Sequence, residues 1–277
     1  MTAPTVPGVY AGVPEHVYHG DLGSLSSSGA RRLLELAPKE WLYERDHPET
    51  REPTPEMEMG TDVHTDVLGV GPRRVEIKAP DFKKPADQKR RKEIRARGEI
   101  PLLTRQIATV EAMAEAVLTD ADAGPLLASG VPELSAYGRD PITGVMMRAR
   151  TDWVHERSGG RIGIDLKTCD SSSPADFAAE VRRWSYHVQQ AWYEQVFAEA
   201  GQPLDAFVFV AVAKRRPHLV AVHELKPRVV DLGRDIARRA LDKYARCIEH
   251  NEWPGHGRGF HQIDLPDWEF KKELYRS

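Results

Sequence analysis

An acid and a lysine two residues apart, Asp165 and Lys167, lie in the strand-like run RIGIDLKT. Residues i and i+2 of a β-strand point to the same face of a sheet, so we expect the carboxylate and the ammonium group side by side. Such a pair is either a small salt bridge or half of a reaction centre. The pair alone does not decide between these interpretations, because an acid-x-Lys triplet is common in soluble proteins.

Two further acids occur near the ends of neighbouring predicted strands, Glu133 in ELSAYGRD and Asp152 in RARTDWV. Carboxylate oxygens are hard ligands that suit Mg²⁺ or Mn²⁺, and two or three of them at one sheet edge make a usable site. A divalent ion there activates water and offsets the charge on a scissile phosphate, and a neighbouring lysine adds positive charge in the transition state. This combination predicts phosphodiester hydrolysis.

The elements that must position these residues form a mainly helical first half and an α/β second half. Apolar periodicity predicts helices in SLSSSGARRLLELAP, in EMEMGTDVHTDVLGVGP, which carries His64, and in TRQIATVEAMAEAVLTD. From Glu133 onward it predicts three strands, one long helix from Ser173 to Gly201, two more strands and a closing helix. We therefore expect one α/β domain over residues 1–277, with a helical portion to about residue 130.

Composition and charge narrow the possible functions. The formal net charge is −3, which argues against a protein that binds nucleic acid with its whole surface, because phosphate binding needs concentrated Lys and Arg. The sequence has no run of about 18 apolar residues, which predicts a cytoplasmic protein that does not contact the membrane. With two cysteines, one chain has too few for a disulfide framework or a four-cysteine metal site.

A nucleic-acid site is therefore expected as a local basic patch. The basic run of residues 83–97 is predicted to be a solvated helix or a loop, and its Lys89, Arg90 and Arg91 are candidates for DNA binding. Arg148 and Arg150 alternate along the strand that leads to Asp152, so both point to one face, either towards DNA or towards neighbouring acids.

In their order and spacing, RTDWV, IDLKT and YHVQQAWY resemble the PD-(D/E)XK nuclease superfamily in its RecB-like branch. Within that branch the sequence is similar to the C-terminal nuclease domain of phage RecE exonucleases, a similarity that also covers SLSSSGARRLL, GTDVH and EWPGHGRGFHQIDLPDW. The resemblance implies a mixed central sheet flanked by helices. It also implies a Mg²⁺-dependent 5′→3′ exonuclease, with Mn²⁺ as a substitute, that leaves 3′ overhangs on linear duplex DNA for recombination by single-strand annealing.

The resemblance assigns roles to individual residues as well. It implies four metal ligands, which are His64, Asp152, Asp165 and the backbone carbonyl of Leu166. It makes Lys167 the catalytic lysine and Glu133 an acid that positions water or supports the ligands. Gln189 and Tyr193 match Gln-x-x-x-Tyr; on a helix they share one face, where an amide and a phenol bind a phosphate or orient Lys167.

The partners implied by the resemblance are double-stranded DNA ends, a RecT-like single-strand annealing protein and further copies of the chain in a homo-oligomeric ring, with a tetramer favoured. The setting it implies is a bacterial host cytoplasm and a phage or prophage gene. Two alternatives remain open. One is a RecB-type or restriction-like endonuclease on single-stranded or specific DNA, and the other is a non-catalytic DNA-end-binding protein.

Overall fold

The computed structural model describes residues 2–48, 53–157 and 159–274. The strands are β1 (Gly8–Tyr10), β2 (Leu25–Ser26), β3 (Arg74–Ile77), β4 (Ile100–Leu103), β5 (Val131–Arg139), β6 (Met146–Arg157), β7 (Gly160–Cys169), β8 (Ala206–Ala213) and β9 (Val220–His223). The helices are α1 (Glu15–His19), α2 (Ser27–Glu35), α3 (Pro38–Asp46), α4 (Pro55–Leu68), α5 (Pro85–Ala96), α6 (Thr104–Thr119), α7 (Ala123–Leu127), α8 (Pro174–Trp184), α9 (Tyr186–Glu199), α10 (Pro227–His250) and α11 (Asp267–Leu274).

A seven-stranded mixed sheet forms the centre of the fold, in the order β1-β5-β6-β7-β8-β9, with β2 added alongside β6. The strands β7 and β8 run parallel, whereas β5, β6 and β7 form an antiparallel meander. Helices pack against the sheet, with α2, α9 and α10 contributing to one core cluster and α4 and α6 to another. The predicted α/β class with a mixed sheet flanked by helices is confirmed.

The turn DPITG joins β5 and β6 as an antiparallel hairpin and fixes the position of β6. Asp140 accepts hydrogen bonds from the backbone N–H and the hydroxyl of Thr143, and Gly144 adopts a φ of 73°, which glycine tolerates without steric cost. The turn therefore sets the register in which β6 carries Asp152 to the far end of the hairpin.

The first 130 residues are less helical than expected. Two short strands from this portion, β1 and β2, join the central sheet, and β3 and β4 pair in parallel as a separate two-stranded sheet with α5 between them. Strands of two to four residues carry no detectable alternation, so the sequence pattern did not reveal them. Across the described residues, no helix is long and apolar enough to cross a membrane.

The single long helix predicted from Ser173 to Gly201 is wrong, because the chain breaks at Ser185. This residue has a left-handed φ of 55° and separates α8 from α9. The helical spacing of apolar residues continues across it, but the chain forms two helices instead of one. The guanidinium of Arg31 donates a hydrogen bond to the carbonyl of Trp184 at this junction. The break lets α9 take its own direction and bring Gln189 to β7.

Strand β7 separates core residues from reactive residues by simple alternation. Ile164 and Leu166 are buried in the cluster with α4 and α6. Asp165 and Lys167 lie between and after them in the strand, and therefore point to the opposite face. The same backbone thus anchors the strand in the core and presents the acid and the lysine.

Candidate active site

Two aspartates face each other where β6 and β7 part. The antiparallel register pairs Trp153 with Ile164, and the next step of that register places Asp152 opposite Asp165. The β-ladder ends at this step, and the backbone N–H of Leu166 donates to Asp152 Oδ2 at 2.7 Å instead. Like charges directly opposite one another destabilise a strand pair, which explains why the pairing of β6 and β7 does not continue past this point.

The surroundings of Asp152 stabilise its protonated form relative to a carboxyl group in water. Burial raises the pKa of this carboxyl to about 6; the nearby imidazole of His64 opposes the shift and the charge of Asp165 adds to it. His64 Nδ1 lies 3.4 Å from Asp152 Oδ2. Helix α4 holds His64 there, and a Cβ atom added at Gly60, one turn earlier, would lie 3.3 Å from Thr168 Oγ1, which shows how closely α4 approaches β7.

The predicted contact between Asp165 and Lys167 is present. Lys167 Nζ contacts Oδ2 of the buried Asp165, and the amide of Gln189 donates to Oδ1 of the same carboxylate. The Lys167 contact is electrostatic rather than an aligned hydrogen bond, since Oδ2 has no hydrogen-bond partner. Lys167 Nζ also lies 4.7 Å from the centre of the Tyr186 ring, within the range of a cation–π contact.

The predicted Gln-x-x-x-Tyr pair lies on one face of α9 beside this acid. Gln189 contacts Asp165 rather than Lys167, so it positions the carboxylate and only indirectly the lysine. Tyr193 packs edge-on against Phe207, with ring centres 6.0 Å apart. Burial raises the pKa of the Tyr193 phenol well above its usual value, so this hydroxyl is a neutral hydrogen-bond donor.

An open cavity of about 330 Å³ adjoins Lys167, Gln189 and Tyr193. Its opposite wall is the beginning of α2, where Ser26 caps the helix by accepting the N–H of Gly29 at 3.1 Å. The wall also holds two buried polar atoms without a hydrogen-bond partner, Ser27 Oγ and Arg31 Nε. Ser27 is not among the site residues predicted from the sequence, although the serine cluster at a helix start was a visible signal.

Glu133 lies in an unusual backbone conformation on β5. Its φ is 45°, and the ladder between β5 and β6 skips it although its neighbours Pro132 and Leu134 are paired. Left-handed φ values are uncommon for residues other than glycine, and they occur frequently at functional sites. The Glu133 carboxylate lies 3.5 Å from Arg150 Nη1.

The expectation that Arg148 and Arg150 point towards DNA is not supported by their surroundings, because both guanidinium groups are used inside the protein. Arg148 Nη1 donates to the backbone carbonyls of Asp21, at 2.9 Å, and Ser24. Arg150 Nη2 donates to the Val13 carbonyl at 2.6 Å.

Both arginines also stack on the ring of Tyr18, with guanidinium carbons 5.3 and 4.2 Å from its centre. Through these contacts Arg148 and Arg150 fasten the N-terminal segment to β6.

The basic candidates on α5 divide into two groups. Lys89 and Arg90 are exposed. Arg91 instead points inward, with Nη2 2.5 Å from Oε2 of the buried Glu58 and its guanidinium carbon 4.3 Å from the centre of the Phe82 ring. Lys89, which has only the exposed Glu93 as a partner at 4.0 Å, and Arg90 are therefore accessible to a ligand at the surface, whereas Arg91 joins α5 to α4.

The donor groups expected around a divalent cation are of the right chemical type, although they are not gathered into one cluster. Within residues 2–48, 53–157 and 159–274, no three His, Cys, Asp or Glu side chains are close enough to hold a metal ion. His64 and Asp152 form one pair, and Asp165 is turned towards Lys167. The raised pKa of Asp152 is nevertheless a feature that a nearby cation would relieve.

Comparison with known proteins identifies a family and a fold for the chain. Residues 26–263 match the family profile of the "PDDEXK-like domain of unknown function (DUF3799)". Among solved structures, a "Putative exonuclease" from Eubacterium rectale superposes with a TM-score of 0.60 over 94% of this chain and 98% of its own, at 14% identity. SSO0001 covers 79% of this chain and 77% of its own at 12% identity, with a TM-score of 0.39 that carries no argument. No curated protein matches the sequence.

Proposed function

Because the chain belongs to the PDDEXK-like family DUF3799, we propose that it is a Mg²⁺-dependent exodeoxyribonuclease that degrades one strand of linear double-stranded DNA from the 5′ end. The observation that supports this most directly is the placement of Asp165 and Lys167 opposite Asp152, at a point where the sheet opens beside a cavity. An ordinary surface salt bridge would be exposed, whereas Asp165 is only 2% exposed.

The residues that would hold the cation are His64, Asp152, Asp165 and the carbonyl of Leu166. A bound Mg²⁺ supplies Lewis acidity that offsets the negative charge developing on the phosphate. This donor set combines hard oxygens with one imidazole, which suits Mg²⁺ or Mn²⁺. Gln189 fixes one oxygen of Asp165, so the carboxylate is oriented before any ligand arrives.

Lys167 is placed to act on the attacking water and on the phosphate. Its Nζ borders the cavity and contacts the carboxylate of Asp165 and the face of the Tyr186 ring. From there an N–H of the ammonium group donates to the attacking water or to a non-bridging phosphate oxygen, which stabilises the transition state. Ser27 Oγ and Arg31 Nε, which have no internal partners, supply further donors to a phosphate on the opposite wall.

The biological setting follows as part of the same proposal. An enzyme that removes one strand leaves a 3′ overhang, which is the substrate of a RecT-like annealing protein in phage-type recombination.

Incubation of the purified protein with linear duplex DNA labelled at either the 5′ or the 3′ end tests the proposal. We expect release of labelled nucleotide from 5′ ends only, with Mg²⁺ or Mn²⁺ and not with a chelator, and no cleavage of covalently closed circles. Nicking of closed circles would support the endonuclease alternative. Binding of ends without cleavage at any metal concentration would support the non-catalytic alternative.

Two substitutions on β7 separate the roles of the acid and the lysine. Asp165→Asn removes a ligand charge, so both Mg²⁺ affinity in calorimetry and cleavage should fall. Lys167→Ala should leave Mg²⁺ affinity intact and lower cleavage by roughly two orders of magnitude or more. Lys214→Ala is the matched control. This lysine lies outside the cavity and pairs with Asp170, with Nζ 3.6 Å from Oδ1, so its substitution should not change Mg²⁺ affinity or cleavage. A folded Lys167→Ala protein with wild-type cleavage rates would contradict the mechanism.

A further inference from the structure

The last residue of α8 is an exposed tryptophan in the wall of the cavity beside Lys167. Trp184 lies immediately before the left-handed Ser185, and 48% of its surface is exposed. It lines the cavity together with Lys167, Gln189 and Tyr193. Burial of a tryptophan ring contributes a large hydrophobic stabilisation, which the chain gives up in part at this position. The exposed ring therefore calls for an explanation at the candidate active site itself.

Three other large aromatic side chains line the cavity, and each is already packed against neighbours. Two guanidinium groups stack on the ring of Tyr18, which is 6% exposed. The ring of Tyr186 stacks on Phe209 with centres 5.6 Å apart, and Tyr193 packs edge-on against a buried phenylalanine. Of these four lining residues, Trp184 is the most exposed, so it offers the most ring surface to a ligand.

The orientation of the Trp184 ring is fixed by its own helix. The indole N–H donates a hydrogen bond to the carboxylate of Glu180, one turn earlier in α8. The guanidinium carbon of Arg183 lies 4.8 Å from the ring centre and covers one face, which leaves the opposite face for a ligand. A ring that is held in place before the ligand arrives loses little conformational freedom on binding.

Groups that suit a phosphate lie in the same cavity as this ring. Lys167 lines one side, and Ser27 Oγ and Arg31 Nε have no hydrogen-bond partner on the other. Arg31 also connects the two parts of the cavity, because its Nη1 donates to the carbonyl of Trp184. A nucleotide matches this arrangement, since it has a phosphate at one end and a flat aromatic base at the other.

The size of the cavity indicates how much of a DNA end it can take. Its volume of about 330 Å³ is at the lower end of the range of small-ligand sites, about 300–1,000 Å³. It therefore has room for one nucleotide and not for a base-paired duplex. A terminal nucleotide that enters it must leave its complement, and its base then needs a new surface on which to stack.

We propose that the free face of Trp184 is a stacking platform for the base of the 5′-terminal nucleotide of the strand that is degraded. The inference rests on the proposed exonuclease function, which makes a DNA end the ligand. The base lies on the indole ring, and the phosphodiester that follows it lies beside Lys167. Each of the four bases has an aromatic face, so this contact accepts any sequence.

Equilibrium binding to a DNA end that lacks one base tests the platform directly. The two probes are linear duplexes with one unpaired 5′-terminal nucleotide, which carries either adenine or an abasic tetrahydrofuran analogue. By fluorescence anisotropy in the presence of a chelator, the wild type should bind the abasic end about 5- to 100-fold more weakly. The same analogue well inside the duplex should have no such effect. Equal affinities for the two ends would overturn the proposal.

Substitutions assign the discrimination to one ring. Trp184→Ala should bind the adenine end about 5- to 100-fold more weakly than the wild type and should no longer distinguish the two probes. Trp184→Phe keeps an aromatic face and should retain part of the discrimination. Trp268→Ala is the matched control, because this tryptophan is 59% exposed and does not line the cavity. A folded Trp184→Ala protein that still distinguishes the probes would overturn the proposal.

Cleavage kinetics separate the platform from the catalytic lysine. A contact that is equally strong in the bound substrate and in the transition state affects KM and not kcat. Trp184→Ala should therefore raise KM by about 5- to 100-fold with kcat nearly unchanged, whereas Lys167→Ala lowers kcat. A protein that cuts no DNA but distinguishes the two probes through Trp184 would contradict the nuclease function and support the platform. Cleavage from 5′ ends with an unchanged KM in Trp184→Ala would overturn the platform alone.

Discussion

Two aspartates, the buried Asp140 and the partly exposed Asp152, lie at opposite ends of the β5–β6 hairpin, and their surroundings differ in kind. Asp140, at the turn, is 1% exposed and accepts hydrogen bonds from both terminal nitrogens of Arg238, from Thr143 and from Gln195. Asp152, at the other end of β6, accepts one backbone N–H and faces a second acid. One carboxylate has every partner it needs within the chain, and the other does not.

The pKa values of the two groups follow from these partners. Burial alone would raise the pKa of Asp140, but the hydrogen bonds from Arg238 and Thr143 outweigh burial and lower it. Burial raises the pKa of Asp152 to about 6, with Asp165 adding to the shift. Asp140 has its hydrogen-bond partners within the chain, whereas Asp152 does not. Asp152 is therefore the better candidate for binding a ligand or taking part in a reaction.

The largest effect expected from this contrast is on catalysis. Asp152→Asn should lower cleavage of linear duplex DNA by roughly two orders of magnitude or more, because it removes a charge that a cation needs. Asp140→Asn should leave the rate per folded molecule within about twofold. Comparable losses in both variants, measured on protein shown to be folded by circular dichroism, would mean that the two ends of the hairpin do not have separate roles.

Stability should respond in the reverse order. Asp140→Ala should lower the free energy of unfolding by about 3–5 kcal/mol, because it leaves the Arg238 guanidinium without its main partner in a partly buried place. Asp242→Ala is the matched control; it removes the exposed second partner of Arg238, 2.9 Å away, and should cost less than about 1 kcal/mol. Urea unfolding measures both, and equal costs would contradict the distinction.

Alternation of side chains along a strand gave two expectations, one correct for Asp165 and Lys167 and one unsupported for Arg148 and Arg150 as DNA contacts. Alternation along a strand correctly placed Asp165 beside Lys167, because both partners lie within three residues. It also placed Arg148 and Arg150 on one face, but their partners Asp21 and Val13 lie 127 and 137 residues away in sequence. Spacing shows which side chains are neighbours in an element, whereas the contacts that occupy them depend on tertiary packing.

The break at Ser185 was hidden for a related reason. Apolar residues continue across it with helical spacing, and serine gives no strong signal for a left-handed conformation. The structure shows what the break achieves, since it aims Gln189 at Asp165. The sequence could therefore place Gln189 on a helix, while its contact with Asp165 required the fold.

The pH dependence of stability should separate the two aspartates with opposite signs. Between about pH 4 and 6 the folded state binds the Asp152 proton more tightly than the unfolded chain, so the contribution of Asp152 to stability is lost as pH rises through 6. Relative to Asp152→Asn, the wild type should lose on the order of 2–3 kcal/mol over that range.

Asp140 should show the reverse dependence, because its pKa is lowered: its stabilisation is present above about pH 4 and is lost as pH falls further. Urea unfolding in the presence of a chelator measures both profiles. A wild-type profile parallel to that of Asp152→Asn would show that the carboxyl is not perturbed. Added Mg²⁺ should flatten the Asp152 effect if the cation binds there.

The smallest effect concerns α5, where the same division between satisfied and available charges recurs within one helix. The double variant Lys89→Ala/Arg90→Ala removes two exposed cations and should weaken binding of duplex DNA while leaving the unfolding midpoint unchanged. If both groups contact phosphates, the slope of log affinity against log salt concentration should become shallower by roughly 1 for each.

Arg91→Ala should do the opposite, lowering stability through the lost contact with Glu58 and leaving the slope as it was. Fluorescence anisotropy of a labelled duplex at several salt concentrations gives both slopes. An unchanged slope in the double variant would remove α5 from the DNA-binding surface, and a changed slope in Arg91→Ala would show that α5 opens to let DNA reach its inner face.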